Sequence, residues 1–576
     1  MSDLIKIVSS QYKHLPGRGD DVIAPRVISH ATALKNEPLS FQVLYRSGPK
    51  AHMCTPVSIA AHATLPMEAF RVDYIPVMNP YAKQGTPGVE SHLPGLFPDL
   101  LMSRPAVPEL CDLVISEKNI CLQEKGVDNL LNATPLDYQA VWFTVNPESR
   151  PLTAGKYEIR IAMTELKTGD ILAEDTLHLE ILDAALPPQT AYYTNWFHVD
   201  CVCDLFGVKP YSNAFYKIFD QYIANMTRHR QNLLLLPAFT PPLDTPLGAE
   251  RMNVQLVEIE KTQNGWQFGF EKMRRFVRHA KKNGIRFFEH SHLFSQWGAK
   301  HAPNIYDKNG TRLFGVETDA AGEEYRTFIR AYLTAFFRFA ESESIRDRMV
   351  FHISDEPSLE DLECYRLAHD TVADLLCDSP VADAMFHAEF FEQGLVNNPI
   401  AMVKYADRFE GKCDRFWLYY TGGEGGGPYT NRLLSNTAAR TRVLGLHMYR
   451  YNAPGFLQWA YNYYYDFRST GCYDPKITAN GYRMYPGVSY LCYPILAKGG
   501  RCVAPSIREK LMGEAMDDLR ALRLLESMIG REATLAMCEK AFGPIDYSTI
   551  PEGEQLREFR ETVNRAIMGE ILADNS

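Results

Sequence analysis

The decisive stretch of this sequence is Met349-Val350-Phe351-His352-Ile353-Ser354-Asp355-Glu356-Pro357. Its first five residues are mostly apolar, which is typical of a buried strand. Two adjacent carboxylates follow, and Pro357 then ends the strand because proline has no N–H to donate. A carboxylate at the end of a buried strand loses water, which raises the pKa of at least one of the two groups. Asp355 and Glu356 are therefore the first candidates for a catalytic pair.

This strand is one of eight short apolar runs in the second part of the chain, and helical patterns lie between most of them. The runs cover residues 192–198, 232–236, 285–292, 349–354, 381–387, 400–405, 415–420 and 455–461. The helical patterns cover residues 211–228, 271–282, 323–341, 359–376 and 432–448. This alternation predicts a (β/α)8 TIM barrel, in which catalytic groups lie at the C-terminal ends of the strands.

The first third of the chain has a different pattern, in which apolar and polar residues alternate as they do in antiparallel strands. The clearest examples are residues 40–46, 70–74, 157–161 and 176–181. The proline-rich stretch 79–108 cannot be a central strand, and we expect a long loop that leans on the neighbouring domain. Leu186-Pro187-Pro188-Gln189 reads as a stiff linker. We therefore expect a multidomain chain, with an N-terminal β-sandwich at 1–186 and a catalytic barrel with C-terminal helices at 191–576.

Composition excludes several classes of function. The chain has 576 residues, of which 46% are hydrophobic and 12% aromatic, so it can bury a large core. Its net charge is −10 and no basic run interrupts that balance, so we expect no nucleic-acid partner. No apolar stretch is long enough to cross a bilayer, so we expect no membrane partner. The start, Met1-Ser2-Asp3-Leu4-Ile5-Lys6, lacks the apolar core of a signal peptide, which favours a cytoplasmic location.

No metal or other cofactor is expected. The twelve cysteines are scattered, and the close pair Cys201 and Cys203 has too short a spacing for a zinc knuckle. We interpret the cysteines as reduced thiols. His290 and His292 could both ligate a metal, but no third ligand is evident. We expect one of these histidines to face the pocket and the other to bond a neighbouring strand.

The ends of the predicted strands carry aromatic, amide and charged side chains, a mixture that suits a sugar. Sugar C–H faces stack on aromatic rings, and sugar hydroxyls need fixed hydrogen-bond partners. Packing alone would explain any one of these aromatic residues equally well. The predicted substrate-binding residues are Trp196, His198, Asp200, Asn232, His292, Trp297, Asp383, Trp417, Tyr419, Trp459 and Asn462.

Two inward carboxylates can divide the work of cleaving a glycosidic bond. One stays protonated and acts as the acid, while the other stays ionised and stabilises developing positive charge. A protein nucleophile would have to lie roughly 5 Å from the acid, across the sugar, which sequence neighbours reach only awkwardly. A sugar with a 2-acetamido group removes this difficulty, because its own carbonyl oxygen attacks C1. Asp355 would then hold the amide N–H, and Glu356 would protonate the leaving oxygen.

Several segments resemble the β-N-acetylgalactosaminidases of glycoside hydrolase family 123. The resemblance covers most of the second domain and implies a β-sandwich before a (β/α)8 barrel, with the catalytic Asp-Glu dyad at Asp355 and Glu356. It also implies retaining, substrate-assisted release of terminal β-linked N-acetylgalactosamine from an oligosaccharide. The segments that carry it include Asn195-Trp196-Phe197-His198-Val199-Asp200-Cys201, Ser291-His292-Leu293-Phe294-Ser295-Gln296-Trp297-Gly298-Ala299, Ser354-Asp355-Glu356-Pro357 and Gly455-Phe456-Leu457-Gln458-Trp459-Ala460-Tyr461-Asn462.

Two other functions stay open on the sequence alone. One is a glycosidase for another amino sugar or for an acidic glycan, and the other is a glycan-binding relative without turnover. The glycine-rich segment 421–428 lacks the Lys and Ser or Thr that follow a phosphate-binding loop, so we expect a mobile substrate loop there. Tyr485-Pro486-Gly487 fits a turn as well as a substrate contact.

Overall fold

The structure is a computed structural model of the chain. It describes residues 4–17, 25–48, 55–81, 85–103, 131–135, 137–241, 243, 245–246, 249–376, 378–480, 484–496 and 500–570. No helix within these ranges is long and apolar enough to cross a lipid bilayer.

The described residues of the N-terminal part form ten strands in two sheets. One sheet has the order β1-β3-β8-β5-β6, and the other has the order β2-β10-β9-β4-β7. The strands are β1 Ile5–Ser9, β2 His30–Leu34, β3 Leu39–Tyr45, β4 Thr55–His62, β5 Met67–Val77, β6 Gly95–Ser103, β7 Asn132–Ala133, β8 Gln139–Val145, β9 Gly155–Glu165 and β10 Ile171–Leu182.

The two sheets share one apolar core, and the alternation seen in the sequence explains it. In β9, Ile159, Ile161 and Met163 are buried at every second position. They belong to the same cluster as Val43 and Phe143 of the other sheet. Most neighbouring strands are antiparallel, as predicted, but β2 runs parallel to β10.

The prediction of a loop over 79–108 is wrong for part of that stretch. Residues 95–103 form β6, which pairs antiparallel with β5 at the edge of its sheet. The pairing register shifts at Pro98, between the partners of Asp73 and Tyr74, so an edge strand with a bulge accommodates the proline. The segment contacts the second part of the chain, as predicted: Val89 forms a bridge with Asn436, and Leu100 forms one with Ser506. Residues 104–108 lie outside the described residues.

The rest of the chain alternates strands with helices. Its strands are β11 Tyr192–Asn195, β12 Leu233–Leu236, β13 Glu258–Thr262, β14 Gly265–Gly269, β15 Phe287–His290, β16 Ile305–Tyr306, β17 Arg312–Phe314, β18 Met349–Val350, β19 Ala384–Met385, β20 Ile400–Met402, β21 Trp417–Tyr419, β22 Gly455–Gln458, β23 Cys492–Pro494 and β24 Val503–Pro505. The α-helices are α1 Val199–Phe206, α2 Asn213–Arg228, α3 Glu271–Lys282, α4 Glu323–Ser342, α5 Leu362–Leu376, α6 Glu389–Glu392, α7 Ala438–Arg442, α8 Leu444–Arg450, α9 Ile507–Ile529, α10 Arg531–Phe542 and α11 Gln555–Ile567. Short 3-10 turns cover Arg346–Arg348, Leu359–Asp361, Val403–Arg408, Gly423–Gly426 and Phe467–Ser469.

Local sequence features explain where the helices begin and which of their faces are buried. Ser212 caps α2 by accepting a hydrogen bond from the Phe215 N–H, and Ser506 caps α9 by accepting one from the Glu509 N–H. Helix α3 buries Met273, Phe276, Val277 and Ala280, an i, i+3, i+4, i+7 series that forms one apolar face.

Each of the eight predicted strand runs contains a parallel strand, although the strands are shorter than predicted. The helix predicted over 432–448 is shorter than expected, because it begins only at Ala438 and breaks at Val443.

The parallel strands pair in sequence order. One sheet has the order β11-β22-β21-β20-β19, and the other has the order β12-β15-β18. A parallel bridge joins Phe351, just after β18, to Val381, just before β19. Next to β11, the Asn232 side chain accepts the Tyr193 N–H at 2.9 Å, and the Asn232 N–H donates to the Tyr193 carbonyl at 3.2 Å. The C-terminal ends of these strands therefore lie on the same side.

A buried ion pair joins the N-terminal part of the chain to α9. Arg508 of α9 and Asp99 of β6 are both fully buried, with Nη2 2.9 Å from Oδ2. Arg508 also donates to the carbonyls of Arg432, Gly487 and Tyr490, and the Tyr493 hydroxyl donates to Asp99. The pair therefore joins one sheet of the N-terminal part to several loops of the second part.

Asp99→Asn should destabilise the protein strongly, because it leaves the Arg508 guanidinium buried without a counter-charge. We expect a loss of about 3–5 kcal/mol in the free energy of unfolding, measured by urea denaturation. The matched control is Asp183→Asn, which breaks the exposed pair with Lys35 and should cost about 1 kcal/mol or less. Equal losses in the two variants would contradict this role of the buried pair.

Candidate active site

One cavity of about 370 Å³ opens at the C-terminal ends of the parallel strands. Its volume lies in the range of small-molecule sites. Aromatic rings dominate its wall, and Asp355 and Glu356 are its only carboxylates among the described residues. The lining residues are Trp196, Leu243, Gln296, Trp297, Asp355, Glu356, Ala384, Tyr419, Thr421, Gly422, Gly423, Leu457, Trp459, Phe467, Met484, Tyr485 and Val488.

The backbone turns sharply at the carboxylate pair, and this turn lets neighbouring residues face one cavity. Glu356 has a φ of +43°, in the left-handed region that a residue other than glycine seldom adopts. Its N–H donates to the Ala384 carbonyl at 2.9 Å, which holds the turn against β19. On a regular strand the two side chains would point to opposite faces.

A second strained turn packs against the first. Trp297, Gly298 and Ala299 all have φ values between +57° and +111°. The Trp297 N–H donates to the Asp355 carbonyl at 2.8 Å. The Ser354 hydroxyl accepts the Gly298 and Ala299 N–H groups and donates to the Ser295 carbonyl. These bonds fix the exposed Trp297 ring at the rim of the cavity.

The surroundings of the Asp355 carboxyl group favour its protonated form. Burial raises the pKa of Asp355 well above its usual range, and the nearby carboxylates of Glu356 and Asp383 raise it further. The charge of His352 and a hydrogen bond from the Gln296 side chain lower this pKa, and the Gln296 amide nitrogen lies 3.3 Å from Asp355 Oδ2. Because the charge of Glu356 acts on Asp355, the two carboxyl groups titrate as a pair, and the raised pKa of Asp355 favours the form in which the pair holds a proton.

Glu356 has a different partner. The Tyr419 hydroxyl at the end of β21 donates to Glu356 Oε1 at 2.7 Å. This bond fixes the orientation of the Glu356 carboxyl group, while the hydrogen bond to Ala384 holds its backbone. The two acids thus sit in unequal environments, which is the arrangement that separates acid and base roles.

Below the pair lies a buried charge network centred on His352. Its Nε2 is 3.0 Å from Glu289 Oε2, and its Nδ1 is 3.5 Å from Asp383 Oδ1. Burial alone would lower the pKa of His352, but the hydrogen bonds and charges of Asp383 and Glu289 outweigh it and raise the pKa to about 9. His352 is therefore an imidazolium at neutral pH.

The two carboxylates of this network orient the parts that line the cavity. Asp383 accepts the backbone N–H groups of Ile353 and Ser354, directly before the carboxylate pair. Glu289 accepts the Trp196 indole N–H at 2.8 Å and the Thr194 hydroxyl. Asp383, predicted as a substrate contact, is thus fully buried below the cavity instead of lining it.

Three other predicted site residues support the Trp459 ring from behind. His198 Nε2 donates to the Trp459 carbonyl at 3.0 Å. Asn462 exchanges two hydrogen bonds with the His198 backbone. Asp200 forms a buried ion pair with Arg251 at 2.6 Å. None of the three lines the cavity, so they lie behind its wall instead of in the predicted direct contact with substrate.

His198, Asp200 and Cys201 come close enough together to suggest a metal site. The Arg251 guanidinium already fills the place of a cation, since it bonds Asp200 Oδ2 and lies 3.3 Å from His198 Nδ1. Burial and the charge of Arg251 lower the pKa of His198 to about 4. The donor set is therefore satisfied by a protein cation and does not fit a metal ion.

Two predicted residues lie at the opposite end of the strands. Asn232 precedes β12, and its side chain bonds the Tyr193 N–H and the Ala191 carbonyl. Trp417 begins β21 and stacks on Tyr192, which begins β11, with ring centroids 4.9 Å apart. The strand run containing Trp417 was predicted correctly, but its tryptophan lies at the strand start, so of the four predicted tryptophans only Trp196, Trp297 and Trp459 line the cavity.

The two histidines after β15 are both buried. His290 bonds the Tyr332 hydroxyl and the Ser291 carbonyl. His292 packs against Trp196 and His352, with ring centroids 5.4 Å and 5.1 Å away. Neither lines the cavity, so the expectation that one of them faces the pocket is wrong.

Sequence reasoning left several wall residues unassigned. The Tyr485 ring packs so closely on Gly422 that a Cβ at position 422 would lie 2.2 Å from it. Tyr81 of the N-terminal part also packs on Tyr485, with ring centroids 4.6 Å apart. The glycine-rich segment thus admits an aromatic wall, and the signal was present in the sequence as the Tyr485-Pro486-Gly487 motif.

The family assignment follows from comparison with known proteins. A family model described as "Glycoside hydrolase 123, catalytic domain" matches residues 196–525, which is more than half of the chain. The chain belongs to glycoside hydrolase family 123. It is a glycosidase by family, and its substrate is accordingly a glycan. No curated protein matches it in sequence.

One solved structure supports the same fold. The chain is similar to a family 123 glycoside hydrolase from Clostridium perfringens, described in a study of glycolipid glycan hydrolysis, with a TM-score of 0.71 and 12% identity over 99% of this chain and 98% of that one. At this identity the likeness establishes the fold alone. A putative β-galactosidase from Bacteroides fragilis (TM-score 0.27, 8% identity, 83% of this chain and 60% of that one) and a β-D-glucuronidase from Dictyoglomus thermophilum (TM-score 0.28, 9% identity, 84% and 96%) are much more distant.

The charge network predicts how stability depends on pH. Because folding raises the pKa of His352 from 6.5 to about 9, the stabilisation is complete below pH 6.5 and is lost as the pH rises through 9. Its size is about 3 kcal/mol. Urea denaturation between pH 6 and pH 10 measures it, and His352→Gln should flatten the decline.

His447→Gln is the matched control for this measurement. His447 is also fully buried, but burial lowers its pKa to about 4, so its replacement should leave the decline above pH 6.5 unchanged. A decline of the same size in His352→Gln and in the unaltered protein would contradict the assignment.

Proposed function

We propose that this family 123 member is a retaining glycoside hydrolase that releases terminal β-linked N-acetylgalactosamine by substrate-assisted catalysis. The observation that carries the proposal is the carboxylate arrangement of the cavity. Asp355 and Glu356 are adjacent in sequence and face one cavity, and no other carboxylate among the described residues lines it. A protein nucleophile opposite the acid is therefore missing from the described wall, and the substrate's own acetamido group fills that role.

We also propose that the strands around this cavity close into a (β/α)8 barrel after an N-terminal β-sandwich. One apolar cluster contains residues of β12, β18, β19, β20, β21 and β22, and Tyr192 of β11 and Phe287 of β15 pack against it. The pairings run from β11 through β22 to β19, and from β12 to β18. The Phe351–Val381 bridge and the Tyr193–Asn232 hydrogen bonds span the two remaining gaps. This continuity supports a closed ring of strands.

The proposed reaction has two steps. In the first, the acetamido carbonyl oxygen attacks C1 while Glu356 gives its proton to the glycosidic oxygen, and the C1–O bond breaks to release the aglycone. Asp355 accepts a hydrogen bond from the acetamido N–H, whose positive charge grows as the oxazolinium ring closes. In the second step, Glu356 takes a proton from water, which attacks C1 and opens the ring. Two inversions at C1 give net retention.

The proton balance of the carboxylate pair fits this reaction. Without substrate, burial and the nearby carboxylates favour a protonated Asp355. The acetamido N–H supplies a donor to Asp355 and so favours its ionised form. The proton that the pair holds then belongs on Glu356, where the Tyr419 hydroxyl orients the carboxyl group. Binding of the correct sugar thus favours a protonated Glu356, the form that can act as the acid.

The wall of the cavity favours a neutral sugar. Its rings, Trp196, Trp297, Trp459 and Tyr485, offer stacking faces for sugar C–H groups. No Lys, Arg or His among the described residues lines it, so nothing there would pair with the carboxylate of an acidic glycan. The choice of galactosamine rests on the resemblance of the motifs. Because the Clostridium perfringens relative is described for glycolipid glycan hydrolysis, glycolipid oligosaccharides belong in the substrate panel.

Glu356→Gln should lower turnover of an unactivated disaccharide by about 10²–10⁴-fold, because the amide keeps the shape of the side chain and has no acidic proton. KM should change little, and an aryl glycoside with a good leaving group should lose less activity. The control is Glu360→Gln, four residues further on and exposed, which should keep full activity. An unaltered rate in Glu356→Gln would remove Glu356 from the acid role.

The acetamido group itself should be required for activity. We expect cleavage of aryl 2-acetamido-β-galactosides and no comparable cleavage of plain β-galactosides or β-glucosides with the same leaving group. Each fluorine added to the acetamido methyl should lower the rate, because it weakens the carbonyl oxygen as a nucleophile. Plain hexosides cleaved at the same rate would overturn the proposal, because Asp200 and Asp383 are buried outside the cavity and cannot substitute as nucleophiles.

A further inference from the structure

A second cavity, separate from the active site, lies where the N-terminal sheet meets α2 and α9. Its volume is about 170 Å³. Basic side chains line it on three elements, and no carboxylate lines it among the described residues. The lining residues are Phe70, Gln221, Ala224, Asn225, Arg228, His229, Arg501, Val503, Pro505 and Lys510.

The positive charge of this cavity is only partly balanced. Glu68, which does not line the cavity, pairs with Lys510 at 2.6 Å and with Arg228 at 3.3 Å. Arg501 makes no hydrogen bond or ion pair with any described residue, although it is close enough for the charges of Glu68 and Arg228 to affect it. Partial burial lowers the pKa of Arg501. The negative charge of Glu68 raises this pKa, and the positive charge of Arg228 lowers it further. Among the described residues, the three cations thus share the carboxylate of Glu68, and Arg228 also pairs with the exposed Glu148. The buried Glu509 carboxylate bonds the lining residue Asn225 and forms no ion pair with these three cations in the described structure.

A buried polar atom of the cavity wall also has no partner. His229 is 6% exposed, and its Nδ1 faces away from the cavity toward the Asn225 carbonyl at 2.9 Å and the buried Glu509 carboxylate at 3.4 Å. In the neutral ring this makes Nδ1 the donor and leaves Nε2 as an acceptor. Nε2 is buried and has no hydrogen-bond partner among the described residues. Such an atom is expensive to bury unless something in the cavity bonds it.

We propose that this cavity binds phosphate, an oxyanion that also carries a hydroxyl group. The unprotonated oxygens of monohydrogen phosphate would accept from Arg501, Arg228 and Lys510, which are the donors that suit phosphate. Its hydroxyl would donate to His229 Nε2. Sulfate has the same shape and charge but no hydroxyl at neutral pH, so it satisfies the cations and leaves the imidazole nitrogen unpartnered.

Bound phosphate would join parts of the chain that are distant in sequence. Arg228 ends α2, Arg501 precedes β24, and Lys510 lies in the first turns of α9. The ligand would therefore stabilise the packing of α2, α9 and the segment before β24 against one another. This role is independent of the proposed glycosidase activity, because the site shares no residue with the active-site cavity.

Isothermal titration calorimetry of the full chain tests the site with inorganic phosphate, sulfate and a sugar 6-phosphate, each at fixed ionic strength. We expect one phosphate per chain, at least tenfold weaker binding of sulfate, and a higher unfolding temperature with phosphate. The dianion of a sugar 6-phosphate has no P–OH group, so we expect it to bind as weakly as sulfate, and tighter binding than that of inorganic phosphate would overturn the hydroxyl contact with His229 Nε2. No saturable binding of any phosphate, or sulfate bound as tightly as phosphate, would overturn the proposal.

Two variants separate the parts of the proposed site. Arg501→Gln should weaken phosphate binding at least tenfold and keep the fold, because Arg501 has no partner in the described structure. The control Arg348→Gln removes an exposed arginine elsewhere and should change nothing. His229→Asn keeps a donor near the Asn225 carbonyl and loses the Nε2 acceptor, so phosphate affinity should fall to that of sulfate. Unchanged phosphate affinity in Arg501→Gln would contradict the assignment.

Discussion

The candidate active site depends on one buried interaction, the His352 imidazolium between Glu289 and Asp383. Without that cation, two fully buried carboxylates would face each other uncompensated, at a cost of several kcal/mol. With it, Asp383 can hold the backbone N–H groups just before Asp355, and Glu289 can hold the Trp196 indole N–H. The same network thus positions both the carboxylate pair and the Trp196 ring. Its charge also acts on Asp355, since His352 opposes the rise in the pKa of that carboxyl group.

The N-terminal sheets affect the shape of the same cavity through a second buried ion pair. Arg508, neutralised by Asp99 of β6, donates to the carbonyls of Gly487 and Tyr490. Gly487 ends the Tyr485-Pro486-Gly487 turn, and a Cβ there would collide with Leu434 and Arg508. Tyr485 forms a wall of the cavity and packs on Tyr81 from the N-terminal part. The N-terminal part therefore helps to shape the substrate wall, although the cavity itself is lined by residues of the second part.

Periodicity and the positions of strand ends predicted much of the fold and part of the site. All eight parallel strand runs, the carboxylate pair and three of the four tryptophans were found in this way. Trp417 was misplaced because strand boundaries are uncertain by a few residues, and only one residue lies between Trp417 at the start of β21 and Tyr419 at its end. Asp383, His198 and Asp200 were assigned to substrate because a strand-end polar residue does not reveal whether a protein partner, here His352 or Arg251, already holds it. Gln296 and Tyr485 come from loops, whose paths are set by tertiary contacts and left-handed turns that periodicity does not encode.

The central claim is that the acetamido group of the substrate binds to Asp355 and replaces a protein nucleophile. A crystal structure of the protein with the thiazoline mimic of the cyclised N-acetylgalactosamine tests this most directly. The account predicts the ring nitrogen about 2.7–3.1 Å from the Asp355 carboxylate, with the sugar between Trp196 and Trp459 and the Glu356 carboxyl group beside the position of the leaving oxygen. A thiazoline ring turned away from Asp355, or a sugar bound outside this cavity, would contradict the account.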